Sequence, residues 1–302
     1  MLKKSLRGSL REKLKKTIKK FYRIIKAKSN RFVIDADGEF LVCYSKSQNK
    51  SEAILAGDLV EVDRDVIVSV APRKNKLIRP AVANVDRLII VVCSVPPPDL
   101  KMVDKLIVNC CRQHIEPILC VNKSDINDGG FLEDIAAQYE GRHIIQTNAI
   151  DGEFSKLTSL LSDRLTCLAG QSAVGKSTLI NAILGEDVRK TDGLSNIERG
   201  KNTTTDTQLF KVYDGLLADT PGFSLLDIHY ADMYELDLYY PEFEGLINKC
   251  KYHRCTHTVE PDCAVKSAVE DGEVNSKRYA RYLEIRTELK EKEKFAYKRK
   301  KL

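Results

Sequence analysis

Thr166-Cys167-Leu168-Ala169-Gly170-Gln171-Ser172-Ala173-Val174-Gly175-Lys176-Ser177 decides the fold. Its first four residues read as an apolar strand, the next eight fit G-x-x-x-x-G-K-[ST], and a helical pattern runs from Lys176 to Leu184. In a strand–loop–helix of this kind, successive backbone N–H groups surround phosphate oxygens and the helix dipole favours their charge. Lys176 would reach the β- and γ-phosphates, and the Ser177 hydroxyl would sit on Mg²⁺. The candidate phosphate-binding run is Gly170, Gln171, Ser172, Ala173, Val174, Gly175, Lys176 and Ser177, with Thr178 in the first helical turn. A glycine-rich turn with a chance lysine is the alternative, and the setting argues against it.

Outward from this loop, strand and helix alternate after Pro80. Strands are expected at Leu88–Cys93, Ile118–Val121, His143–Thr147, Thr166–Ala169, Gln208–Val212 and Gly215–Asp219. Helices are expected at Lys101–Arg112, Phe131–Tyr139 and Phe154–Leu161, besides the one from Lys176. Such alternation calls for an α/β fold, a mostly parallel sheet with ligands at the carboxyl ends of its strands. Residues 31–71 differ: four short strands, Arg31–Ile34, Glu39–Cys43, Leu59–Val62 and Val66–Val70, separated by turn signals, suggest a small β-barrel.

Three further motifs end strands of the alternating region. Asp219-Thr220-Pro221-Gly222 follows Leu216-Leu217-Ala218. A carboxylate there can hold Mg²⁺ through water, and Gly222 can donate its N–H to a γ-phosphate. Asn122-Lys123-Ser124-Asp125 follows Ile118–Val121, and the Asp125 carboxylate can accept from both N1–H and the exocyclic amine of guanine. Adenine lacks that pair of donors, so ATP would leave the charge unpaired. Asn122 would orient the loop, and the Lys123 stem would cover the ring. Thr147-Asn148-Ala149 would complete the base pocket through backbone N–H groups.

The order of these motifs is unusual, since the base-reading pair precedes the phosphate-binding pair. With Arg79-Pro80-Ala81-Val82-Ala83-Asn84-Val85-Asp86 and Gly200-Lys201-Asn202-Thr203-Thr204-Thr205, the chain resembles the circularly permuted GTPases of the RsgA (YjeQ) family. These GTPases depend on the small ribosomal subunit. The resemblance covers about residues 30 to 285. It implies an OB-like (oligonucleotide-binding) N-terminal barrel, a circularly permuted P-loop GTPase domain and a C-terminal helical zinc-binding domain. The expected division is a basic helical extension at 1–28, the barrel at 29–73, the GTPase domain at 74–226 and the zinc domain at 227–302.

The family commonly has Gly-Arg-His-Thr-Thr-Thr where this chain has Lys201 and Asn202. Thr204 is taken as the Mg²⁺ ligand of that loop, with Thr205 the alternative. Phe223 stands where many GTPases place a water-orienting glutamine. A phenyl ring cannot hydrogen-bond the attacking water, so slow intrinsic turnover is expected, with Lys176, Thr204, Asp219 and Gly222 as the catalytic set.

Cys250, Cys255, His257 and Cys263 offer three thiolates and an imidazole within 14 residues. Zn²⁺ takes four such ligands in a tetrahedron, which makes a closed, structural site. His253 is a fifth candidate by position, and the resemblance assigns the role to His257. The other six cysteines lie in apolar surroundings and read as small buried hydrophobes.

The net charge of +6 conceals two basic ends. Residues 1–28 carry +11 and residues 277–302 carry +7, which leaves −12 between them. Basic ends on an acidic body suggest a polyanionic partner, most simply RNA, or else solvated tails. Leu10, Leu14, Ile18, Phe21 and Ile25 place an apolar face on an N-terminal helix. Tyr279, Tyr282, Leu283 and Leu289 line a C-terminal basic helix whose lysines would face RNA or solvent. No apolar run approaches the roughly 20 residues that span a bilayer. A cytoplasmic monomer is expected, a GTPase that binds the small ribosomal subunit and its rRNA. The alternative is an RNA-binding adaptor with GTP as a structural ligand.

Overall fold

The computed structural model describes residues 20–45, 53–78, 81–126, 130–191, 207–219 and 233–299. Gly200–Thr205 and Thr220–Phe223 lie outside them, and so do Arg79, Pro80 and residues 1–19 of the expected helical extension.

The described residues begin with five strands: β1 (Tyr22–Lys28), β2 (Arg31–Ala36), β3 (Glu39–Ser45), β4 (Leu59–Asp63) and β5 (Val66–Val70). They pair in the order β1-β2-β3-β5-β4, and β4 returns to β1, so the sheet closes on itself as an OB-like barrel. Ile24, Phe32, Ile34, Cys43, Val60 and Ile67 fill its interior. The expected helix over 10–25 fails at its carboxyl end, because residues 22–25 belong to β1 and the barrel starts before residue 29. Spacings of three and four suggested one apolar face, yet Phe21 is exposed and both Ile24 and Ile25 are buried. Two neighbouring residues buried on opposite sides require a strand. Ile24 enters the barrel core and Ile25 the core of the next domain.

After a two-stranded ribbon, β6 (Lys76–Leu77) with β7 (Val82–Ala83), comes the second sheet. Its strands are β8 (Arg87–Val92), β9 (Glu116–Val121), β10 (Ile144–Gln146), β11 (Leu165–Ala169), β12 (Gln208–Val212) and β13 (Gly215–Asp219). They lie in the order β10-β9-β8-β11-β13-β12, all parallel except β12, which runs antiparallel to β13 and pairs on its other side with β1 of the barrel. Along β8, Leu88, Ile90 and Val92 face α1 (Leu100–Arg112) and α2 (Gly130–Gln138). Ile89 and Val91 face α3 (Ser155–Thr158) and α4 (Lys176–Thr191). Coverage on both sides explains why the strand reads as a continuous apolar run. Helix α3 is one turn, shorter than expected; the chain then tightens through Leu160 N–H to Leu157 O and Leu161 N–H to Thr158 O. Helix α4 breaks at Gly185, whose φ of 59° and ψ of 174° are not helical.

Beyond Met233 the chain makes three short 3₁₀ turns, then α5 (Ala264–Glu270) and α6 (Ser276–Arg299). Leu236, Tyr240, Phe243, Val265, Tyr282 and Ile285 form its core, joined by Val108 of α1. The C-terminal charge is partly spent inside the protein. Arg278 is 1% exposed and pairs with the fully buried Asp104, and Arg281 Nε donates to the same carboxylate at 2.7 Å. The +7 of residues 277–302 therefore overstates what faces solvent. None of the described helices is long and apolar enough to cross a membrane.

Candidate nucleotide site and metal cluster

Because β8, β9, β10, β11 and β13 are parallel, the loops that follow them emerge along one edge of the sheet. Gly170–Gly175 follows β11, Asn122–Asp125 follows β9, and Thr147–Ala149 follows β10. Asp219 closes β13, one residue beyond the Cys167–Ala218 pairing. Thus the structure brings together the described motifs from both halves of the permuted order. Thr204 and Gly222 lie outside the described residues.

The loop after β11 wraps closely because two positions can only be glycine. A Cβ at Gly170, where φ is +143°, would stand 2.3 Å from Val91 O. One at Gly175, where φ is +94°, would stand 2.3 Å from Asn122 Nδ2. Val174 between them is buried, and Ser172, Ala173, Ser177 and Thr178 are exposed. Lys176 Nζ donates to Gly170 O at 2.6 Å and also to Gln171 O. Burial pushes its ammonium below the ordinary lysine range, which sharpens its demand for an anionic or carbonyl partner.

Asn122 joins the three loops. Its Nδ2 donates to Val174 O at 2.9 Å, and its Oδ1 accepts from Thr147 Oγ1 at 2.9 Å. Ser124 N–H donates to Thr147 O at 3.3 Å. Asn148 Oδ1 accepts from the N–H groups of Ile150 and Asp151, and its backbone exchanges two hydrogen bonds with Glu153, so the loop after β10 is held from within. Lys123 takes a left-handed φ of 59°, which turns the chain so that Asp125 is exposed at the same edge. Through Asn122, this turn is tied directly to the phosphate loop.

Sequence reasoning missed the loop after β8. Val95 O accepts from Lys123 Nζ at 2.9 Å, and Asp99 N–H donates to Gln171 Oε1 at 2.8 Å. Its sequence, Ser94-Val95-Pro96-Pro97-Pro98-Asp99, carried only a break signal.

In the C-terminal domain, the ligand atoms of Cys250, Cys255, His257 and Cys263 all lie within 4.8 Å of one another. Cys250 Sγ is 3.8 Å from Cys263 Sγ, and His257 Nδ1 is 3.5 and 3.3 Å from those sulfurs. A tetrahedral ion with metal–sulfur bonds of about 2.3 Å needs sulfur–sulfur edges of about 3.8 Å. The donor set fits a metal ion on this ground. Burial pushes the Cys255 thiol up to about 12, so thiolates here call for a compensating cation. His253 is exposed and takes no place in the cluster. Asp237, also missed, stands behind the imidazole with Oδ2 3.3 Å from His257 Nε2, an arrangement that fixes which ring nitrogen faces the cluster. No spacing signal could have linked it to a histidine 20 residues on. Tyr279 OH donates to His257 O at 2.6 Å and Tyr282 OH to Thr256 O at 3.0 Å, so the basic helix packs its tyrosines on the metal loop.

A sequence model described as RsgA GTPase matches residues 70–229. The small ribosomal subunit biogenesis GTPase RsgA of Geobacillus thermodenitrificans is 36% identical over 284 residues, covering 89% of this chain and 97% of that protein. The protein of the same description from Clostridium kluyveri is 34% identical over 283 residues, covering 90% and 99%. Among solved structures, YjeQ from Thermotoga maritima superposes with a TM-score of 0.76 at 33% identity, covering 89% of this chain and 98% of that one. YloQ, described as a circularly permuted GTPase, gives 0.74 at 30% identity, covering 90% and 96%. The likeness runs through the motif order itself, which a conventional GTPase does not share, and on it the chain belongs to the RsgA GTPase family of GTP-hydrolysing enzymes.

Proposed function

We propose that this chain is a cytoplasmic ribosome-biogenesis GTPase. It binds the small ribosomal subunit and its rRNA as a monomer, assists late maturation, and hydrolyses GTP to GDP and phosphate faster when bound there. The single observation that carries the nucleotide part is Asn122, bonded at once to Val174 O and Thr147 Oγ1, which makes base-reading and phosphate-binding loops one site. In this reading Asp125 accepts from guanine, Lys123 covers the ring, and Ser124 and Thr147–Ala149 line the base. Gly170–Thr178 hold the phosphates, with Lys176 leaving its loop carbonyls for them. Ser177, Thr204 and Asp219 hold Mg²⁺, which offsets phosphate charge, and Gly222 N–H meets the γ-phosphate. Zn²⁺ is held by Cys250, Cys255, His257 and Cys263 and braces the C-terminal domain. We take the domains as the barrel from Tyr22 to residue 73, the GTPase domain at 74–226 and the metal domain at 227–302.

The subunit part is supported by the descriptions of the relatives and by the basic residues at both ends. Phosphate release measured with and without purified small subunits tests it. Turnover should be slow alone, in keeping with Phe223, and rise several-fold or more with subunits. An unchanged rate at saturating subunits would leave an RNA-binding adaptor in its place.

A further inference from the structure

Helix α1 touches the nucleotide loops at one end and the metal-bearing domain along its length. Its N-cap is Asp99, whose side chain accepts from Met102 N–H at 3.0 Å and whose own N–H donates to Gln171 Oε1. The same short loop gives Val95 O to Lys123 Nζ. Both loops that would grip a nucleotide thus hold the segment leading into α1, the phosphate loop at its cap and the base loop at Val95.

Five residues beyond the cap, Asp104 is wholly buried and accepts from Arg278, Arg281 and Tyr139 OH, the last at 2.6 Å. The Arg278 guanidinium is sandwiched between the rings of Tyr139 and Tyr240, 4.7 and 4.4 Å from their centroids, and Nε donates to Glu242 at 2.7 Å. Lys101 and Lys105, on the same face of α1, pair with Glu284 and Glu288 of α6. In turn α6 grips the metal loop through Tyr279 and Tyr282. A carboxylate this deep with two arginines has no good second position, because any shift strands a buried charge. The joint between α1 and α6 therefore moves as a unit.

Resting on the nucleotide-site reading above, we infer that α1 is a relay: nucleotide in the site, with or without a γ-phosphate, sets the orientation of the C-terminal metal domain through Asp104 as a positioning residue. The element that responds is the phosphate loop. Lys176 Nζ now donates to Gly170 O and Gln171 O, and phosphate oxygens compete for the same protons. Releasing those carbonyls re-aims Gln171 and hence the cap of α1. Guanine under the Lys123 stem likewise fixes the Val95 carbonyl. This route uses only the base and the diphosphate, so it differs from any signal leaving through the residues after Asp219. By linkage, whatever binds the metal domain in one orientation changes the affinity for GDP by the same factor.

Hydrogen exchange of the full metal-loaded chain tests the relay, without nucleotide, with saturating GDP and with a non-hydrolysable GTP analogue. Binding is read in parallel by a fluorescent GDP analogue. Both nucleotides should slow exchange in α1 and in residues 276–289 of α6 by about fivefold or more. Asp104→Asn should keep protection in α1 and lose it in α6. Gln171→Met, which touches no buried charge, should reduce the α6 effect at saturation and so serves even if Asp104→Asn fails to fold. Bound nucleotide with unchanged α6 exchange overturns the relay, as does α6 protection that appears only with the γ-phosphate. Absence of nucleotide binding overturns the site reading itself, and the relay with it.

Discussion

Asn122 and Val174 stand 52 residues apart in the chain and are joined by one buried hydrogen bond of 2.9 Å, from the Asn122 amide to the Val174 carbonyl. Each belongs to a different motif, so this bond makes the permuted order irrelevant to the site's geometry. Asn122→Ala would leave a buried carbonyl without a donor, at about 1–3 kcal/mol. Affinity for both GTP and GDP should fall about tenfold or more, measured by titration calorimetry, because the phosphate loop rather than the γ-phosphate loses its support.

Asp125→Asn should act on the base alone. The carboxylate is exposed at the sheet edge, where the substitution need not disturb folding. GTP should bind more weakly, and discrimination against xanthosine nucleotides should relax, since an amide can donate to the xanthine O2. Competition titrations with GTP, XTP and ATP check this; equal affinity for ATP and GTP in the unsubstituted protein would defeat the base-reading role.

Metal analysis of freshly purified, reduced protein should find one zinc per chain. Cys263→Ser should lose it and destabilise the C-terminal domain, since a structural ion contributes folding free energy directly. Asp237→Asn keeps the four ligands but weakens the partner of His257 Nε2, and should lower metal affinity about 10- to 100-fold in chelator competition.

Glu260 shapes the loop that presents His257. Although burial works against its charge, bonds from the hydroxyl and N–H of Thr256 and the N–H of Thr258 bring its carboxyl down to about 2. A folded-state value below the unfolded one, near 4.5, means the stabilisation is fully present above pH 4.5 and fades as pH falls toward 2. Glu260→Gln should therefore lower the urea midpoint by the same amount at pH 7 and pH 5.5. A wild-type advantage that grew on acidification would contradict this sign.

Much of the candidate nucleotide site was legible because its parts are local. Gly170–Ser177 and Asn122–Asp125 each sit between a buried strand and a polar turn, and backbone geometry follows from a few residues. The metal set was legible for the same reason, with four ligands in 14 residues. What sequence hid depends on distant partners. Asp104 reads as an ordinary helix acid until Arg278 arrives 174 residues later, and Asp237 means nothing until His257 turns its Nε2 toward it. The N-terminal misreading has another cause: Ile25 satisfies a helical spacing with Phe21 by coincidence, while a strand between two cores needs apolar residues on both sides.

That strand has a consequence for taking the molecule apart. Lys26 of β1 pairs with Gln208 of β12, so the barrel continues the GTPase sheet beyond its last strand, and Lys211 of β12 binds Asp35 of the barrel at 2.5 Å. Ile25 and Val33 of the barrel are part of the same core as Leu88 and Leu209. A chain begun at residue 74 would bare the outer edge of β12 together with an apolar surface, a combination that invites other copies to add strands. The barrel is thus a lid on a sticky seam as much as a module of its own. Shuffling it between proteins would carry that seam along, and any substitute would need a strand with Ile25's neighbour-to-neighbour burial to close it.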